Sequence, residues 1–118
     1  MRTLEQLYKE IESVADFSDI EVKDPNTLGL FSTRPLHVAA IWGDCEAIKM
    51  LIEAGANINE KGEHGFTPLF EAVEQGHFEA VKLLVELGAQ PIKNDEGLLP
   101  SEYAEGKELV SYLKENGL

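Results

Sequence analysis

A shift of 33 residues superimposes the chain on itself: Pro35 falls on Pro68, Leu36 on Leu69, Ala39 on Ala72, Gly43 on Gly76 and Glu46-Ala47 on Glu79-Ala80. The match runs on through Lys49 and Lys82, Leu51 and Leu84, Glu53 and Glu86, and Gly55-Ala56 and Gly88-Ala89. Between these identities Ile48, Met50 and Ile52 pair with Val81, Leu83 and Val85, so the two copies occupy equivalent environments. A period of this size constrains the fold more than any local signal. Each copy is one supersecondary unit that cannot bury its apolar side alone, and neighbours must stack.

Within each copy the punctuation reads helix, tight turn, helix, loop. In the second, Pro68 suits the first position of a short helix with Thr67 as its cap, and Gly76 stops that helix after two turns. A second helix is expected over Glu79 to Leu87, with Val81, Leu84 and Val85 on one face and Gly88 closing it in the left-handed conformation. Helices this short are marginal in isolation, so the pattern predicts an all-α stack.

Thr67-Pro68-Leu69-Phe70-Glu71-Ala72, then Gly76-His77, Val81-Lys82-Leu83-Leu84 and Gly88-Ala89, resemble the ankyrin-repeat consensus along almost its whole length. The first copy carries Arg34-Pro35-Leu36-His37-Val38-Ala39-Ala40, Gly43 and Gly55-Ala56-Asn57-Ile58-Asn59. There Arg34 and Ser32 replace the usual threonine and glycine, which removes the hydroxyl cap and the residue suited to the sharp turn. In the second copy Phe70 replaces the usual histidine and loses that residue's hydrogen bond. The resemblance implies an ankyrin-repeat solenoid of helix-turn-helix pairs with short hairpin loops.

The third copy is degenerate. Gly97-Leu98-Leu99-Pro100-Ser101-Glu102-Tyr103-Ala104 aligns with Gly65 onward at a period of 32, but Leu113 and Gly117 match Leu84 and Gly88 at only 29. With Lys107, Glu108, Lys114 and Glu115 in its last helix, it suits a solenoid end, which needs a polar outer face. At the other end Thr3-Leu4-Glu5-Gln6 is a capping-box pattern, and Leu4, Leu7, Tyr8, Ile11 and Val14 form a helical apolar stripe. Residues 16–29 mix acidic residues with an Asp24-Pro25-Asn26 turn signal, and a loop or short extended segment is expected. The 118 residues are thus expected to divide into an N-terminal cap (1–29), repeats at 30–62 and 63–94, and a C-terminal capping repeat (95–118), a complete short solenoid in one domain.

Charge narrows the partner. Ten Lys and Arg against 22 Asp and Glu leave a formal charge of -12, which repels nucleic acid and anionic lipid and favours basic protein surfaces. The N-terminus lacks the apolar core of a signal peptide, and no stretch approaches the roughly 20 apolar residues of a membrane span. The lone Cys45 fits a reducing compartment, the cytoplasm by default.

No constellation for catalysis stands out. The resemblance gives His37 a loop hydrogen bond and His77 a place after the turn glycine, while His64 falls in an exposed loop. Cys45 aligns with Phe78, so a buried, inert thiol is expected, and no Cys/His pair has metal-ligand spacing. Asp24 to Gly29 begins like a calcium loop, but Pro35 stands twelfth where a bidentate glutamate is required. Gly106-Lys107 lacks the rest of a phosphate loop. The expectation is a protein without cofactor or metal, and not an enzyme.

What remains is a surface. In proteins that this chain resembles, binding uses the loop tips and the exposed side of each first helix, which line a concave face. By position these are Leu30, Phe31, Thr33, Ile41 and Trp42; Glu63, His64, Phe66, Glu74 and Gln75; and Asp95, Glu96 and Leu98. Trp42 has Gln75 as its counterpart, so the framework does not demand an aromatic there. Either it and Phe31 pack on the N-terminal cap or they anchor a partner. Phe66 is expected as an anchor at a loop tip, and Glu60, Glu63, Glu71, Glu74, Asp95 and Glu96 are expected on or near the concave side. These features suggest a monomer that binds a basic protein, as an acidic inhibitor of the antitoxin or immunity type does. A general adaptor using apolar anchors and an accessory subunit of an enzyme remain as alternatives.

Overall fold

The computed structural model describes residues 1–118 and contains helices α1 (Leu4–Glu12), α2 (Pro35–Trp42), α3 (Cys45–Glu53), α4 (Pro68–Gln75), α5 (Phe78–Glu86), α6 (Pro100–Tyr103) and α7 (Lys107–Glu115). There is no strand. Short 3-10 turns at Ala15–Phe17, Leu30–Ser32 and Glu63–Gly65 punctuate the loops. The architecture is the all-helical solenoid expected from the period. Pairs α2/α3 and α4/α5 stack with like helix on like, α6 continues the first row, and α1 closes the other end against α2 and α3.

The local chemistry explains each boundary. Thr3 caps α1 through the reciprocal pair with Gln6, at 3.1 and 2.8 Å, as the capping-box pattern requires. Thr67 caps α4, its hydroxyl accepting the Phe70 N–H at 3.4 Å. Helix α5 begins one residue before the expected start and ends one before the expected finish, with His77 and Leu87 as its boundary residues. Gly43 ends α2 at φ +68°, where a Cβ would lie 2.5 Å from the His77 ring, so only glycine lets the two turns nest. The third unit is abbreviated: α6 is a single turn and Gly106, at φ +95°, redirects the chain straight into α7.

The substitutions in the first repeat are absorbed without change of geometry. Ser32 adopts φ +63° where Gly65 has +72°, and Phe31 has +58° where His64 has +61°. A non-glycine residue in this region is costly, so the turn persists because the surrounding hydrogen bonds impose it. No side-chain oxygen takes the place of the threonine hydroxyl at the start of α2; the His37 N–H turns back to the Arg34 carbonyl at 3.0 Å, and the His37 ring braces the turn from the other side, Nδ1 accepting the Arg34 N–H at 3.0 Å. The neighbouring Thr33 donates its hydroxyl to Asp16 at 2.7 Å.

One continuous core unites Leu7 and Ile11 of α1 with Leu36, Ala39, Ile48 and Leu51 of the first repeat, Leu69, Ala72, Val81 and Leu84 of the second, and Leu109, Leu113 and Leu118 at the end. Leu4, Tyr8 and Val14 pack partly buried against it, so the predicted stripe of α1 faces inward. Residues 16–29 depart from expectation at their start. Instead of a loop or extended segment, Ala15–Phe17 forms a 3-10 turn that drives Phe17 into the core, fully buried, and Val22 is buried as well. Arg2 bridges Glu10 and Glu46, at 2.7 and 2.9 Å, and also Asp44, tying the N-terminal segment to α3. Cys45 is half-buried rather than buried, beside Lys49, Glu79, Lys82, Leu83 and Glu86, because its position lies at the outer margin of the second row. No helix is long and apolar enough to cross a membrane.

Candidate functional site

The α2/α4/α6 row and the three loop tips carry nearly all of the residues expected to bind. Each first helix buries its apolar side against the second row and leaves residues of its last turn outward. In α2 these are Ile41 and Trp42, 37% and 38% exposed, and at the preceding loop tip Leu30 and Phe31 are 49% and 64% exposed. In α4 the equivalents Glu74 and Gln75 are exposed and Glu71 is half-buried; at its loop tip Glu63 and His64 are exposed. Asp95 and Glu96 are exposed at the third tip, where the Asp95 N–H donates to the His64 carbonyl at 3.0 Å and joins the two loops.

Four expected residues have other work: Thr33, Glu60, Phe66 and Leu98. Phe66 is buried, only 5% exposed: its ring stacks on Phe70 at 5.1 Å and meets Tyr103 edge-on at 5.3 Å. It is a structural aromatic and not an anchor, because the position before the cap points back between units; its counterpart Thr33 is buried too. Glu60 braces its own loop, accepting from Arg34 at 2.7 Å and from Asn57 at 2.9 Å. Leu98 is half-buried, and its N–H donates to the buried Asn94 side chain at 3.0 Å. Trp42 is exposed and lines a shallow depression with Glu10 and Ser13 at the end of α1 and with Asp44.

The acidic residues converge further than the alignment suggested. Glu71 stands close enough to Glu74, Glu63 and Asp16 for their charges to act on it. Burial and then those like charges push its carboxyl up to about 7 from an ordinary 4.5. Tyr103, in the single turn of α6, donates its hydroxyl to Glu74 at 3.0 Å, and that bond with burial raises the phenol. Glu96 and Glu105 add negative charge around it. Asp16, Tyr103 and Glu105 were missed by the sequence reading. Tyr103 had a signal, since at the 32-residue period it occupies the register of Glu71; Asp16 had none, because only the buried turn at Phe17 brings it here.

Cations are placed elsewhere. Arg2 binds Glu10, Asp44 and Glu46; Arg34 binds Glu60; Lys9 and Lys82 lie near Glu12 and Glu79, at 3.7 and 3.8 Å. No Lys or Arg pairs with Asp16, Glu63, Glu71, Glu74, Asp95 or Glu96; Glu63 has only the exposed His64, at 3.6 Å. The face therefore holds carboxylates that no Lys or Arg side chain neutralises.

The burial of Glu71 and the repulsion around it have a measurable cost. Because the folded Glu71 carboxyl titrates above the unfolded one, its contribution to stability is present below pH 4.5 and is lost as pH rises through 7. The shift corresponds to at most about 3 kcal/mol, and screening at the exposed edge of the side chain reduces it to about 1–2. Glu71→Gln is therefore expected to match the parent protein at pH 4 and to exceed it by that amount at pH 8, in urea unfolding followed by circular dichroism.

The structure holds no group of three His, Cys, Asp or Glu side chains arranged to hold a metal ion. Compared with known families, the chain matches a model of ankyrin repeats, three copies, over residues 3–95, a span that takes in α1 as well as both repeats. No curated protein matches it significantly.

Proposed function

The chain belongs to the ankyrin-repeat family, whose repeats are generally protein–protein interaction modules, and from that premise we propose that it is a non-catalytic binding protein whose α2/α4/α6 face engages a basic protein. In this reading residues 1–29 and 95–118 cap the repeats at 30–62 and 63–94, and the protein acts as a monomer. The observation that carries it is the set of carboxylates on that face that no Lys or Arg pairs with, gathered around the half-buried Glu71. A cationic partner surface would replace repulsion by attraction, which makes the free face poor in stability and rich in binding potential.

The narrower form of the proposal is an acidic inhibitor of the antitoxin or immunity type, occupying the cationic site of a toxin or enzyme in the cytoplasm, a compartment that suits an unpaired Cys45. Affinity capture from a lysate tests the class of partner. Basic proteins are expected on the parent protein at about 0.05 M salt, and reduced by about tenfold or more at 0.5 M or on Glu63→Gln/Glu74→Gln. Retention of neutral or acidic partners irrespective of salt and of these substitutions would show the proposal wrong.

A further inference from the structure

Of the large apolar side chains left exposed, Leu28, Leu30, Phe31, Ile41 and Trp42 fall in one stretch of 15 residues, and only Met1 and Leu87 lie elsewhere. Leu30 and Phe31 stand at the loop tip before α2 and Ile41 and Trp42 in its last turn, so they mark the two ends of one helix and are not scattered over the surface. The repeat register shows what lies beside it. One unit along, Leu30 becomes Glu63, Ile41 becomes Glu74, Trp42 becomes Gln75 and the buried Val38 becomes the half-buried Glu71. Since α2 and α4 pack side by side, the apolar and acidic strips run parallel at a helix–helix spacing of about 8–10 Å.

That spacing is close to the width of one further helix, about 10 Å. Building on the basic-partner reading, we infer that the face takes a single amphipathic cationic helix of the partner, with its apolar side on Phe31, Ile41 and Trp42 and its Lys or Arg flank over Glu63, Glu71 and Glu74. The two strips together demand this occupant. A diffusely basic surface leaves the apolar strip unmatched, and a neutral apolar helix leaves the carboxylates desolvated without a counter-charge. A second copy of this chain, at net charge -12, would bring the same carboxylates against themselves. The groups facing Glu71 are Glu74 on its own helix, Glu63 on the loop before it and Asp16 from the N-terminal segment, so every neighbouring charge favours the same sign of ligand.

The chain's one tryptophan reports on the event, because Trp42 lies in the apolar strip. The probes are three synthetic 18-residue peptides free of tryptophan: one with leucines on one helical face and lysines on the flank, one of the same composition with the faces scrambled, and one with the lysines replaced by glutamine. Titration is expected to shift Trp42 emission to the blue with the first peptide, and affinity is expected to fall about tenfold or more for each of the others. Ile41→Asp and Phe31→Ser are each expected to weaken the first peptide by about tenfold. Phe31, at a loop tip, keeps the test valid if the Ile41 variant fails to fold, and Leu87→Asp, outside the patch, is expected to leave affinity unchanged.

Equal affinity for the ordered and scrambled peptides overturns the helix inference; if that affinity still falls with salt and with Glu63→Gln/Glu74→Gln, the basic-partner reading survives. No binding of the first peptide, no effect of either apolar substitution, preference for the glutamine peptide, or self-association that hides Trp42 in sedimentation overturns it as well. Binding unchanged by Glu63→Gln/Glu74→Gln overturns both.

Discussion

Replacing Phe17 by alanine is expected to remove about 3–5 kcal/mol of stability, the range for deleting a fully buried aromatic side chain. The ring has no solvent exposure, and it sits so tightly on the chain that a Cβ at Gly29 would lie 2.9 Å from its Cζ and 2.8 Å from the Asp16 carbonyl. The Gly29 N–H in turn donates to the Thr33 carbonyl at 2.7 Å, and Thr33 holds Asp16 at 2.7 Å. The cavity therefore opens where the N-terminal segment is joined to the first loop tip, and little nearby can collapse into it. A domain of this size holds about 5–15 kcal/mol in total, so the urea midpoint should fall by roughly 2 M. A loss below about 1 kcal/mol would mean that residues 16–29 are held by something other than this ring.

The second large effect is expected at His37. The imidazole is buried, with Nε2–H directed at the Glu60 and Phe66 carbonyls at 2.8 and 3.0 Å, and Nδ1 accepting from Arg34 at 3.0 Å. All of its hydrogen-bonding capacity is used by the neutral ring. His37→Ala strands the Arg34 N–H and the Glu60 carbonyl and leaves a void, a loss of about 2–4 kcal/mol at pH 8. Burial, the leading cause, holds the folded imidazole below 6.5. The unfolded chain therefore gains the proton first, and the contribution of His37 is lost as pH falls below 6.5. The gap between parent and His37→Ala should accordingly narrow from pH 8 to pH 5 in urea unfolding. Glu71 acts in the opposite sense between 4.5 and 7, so Glu71→Gln as the background separates the two.

Much of the fold was legible because it repeats. Pro35 and Pro68, Gly43 and Gly76, and Thr3 with Gln6 mark helix ends through the chemistry of single residues, and the structure places them there. What escaped notice depended on contacts across the register. Phe17 lies outside the repeats, and no period announces that its turn enters the core. Phe66 holds a loop position that by itself implies exposure; Tyr103, reached through the shortened third unit, is what helps to cover it. The gathering of carboxylates was legible in kind, through Glu63, Glu71 and Glu74. Its intensity was not, because it depends on how deeply Glu71 is buried and on Asp16 arriving from the far end of the chain.

The loop tips show how such a face changes its specificity. Phe31 and His64 share one backbone conformation although one is aromatic and the other ionisable. Each tip is closed by main-chain bonds, from Gly29 to Thr33 at 2.7 Å and from Gly62 to Phe66 at 2.8 Å, which use none of the outward side chains. Shape and chemistry are thus set by separate parts of the sequence. A new partner can be acquired by exchanging the letters at the tips, one at a time, on a frame that does not have to be redrawn, and a bound partner finds these loops already ordered.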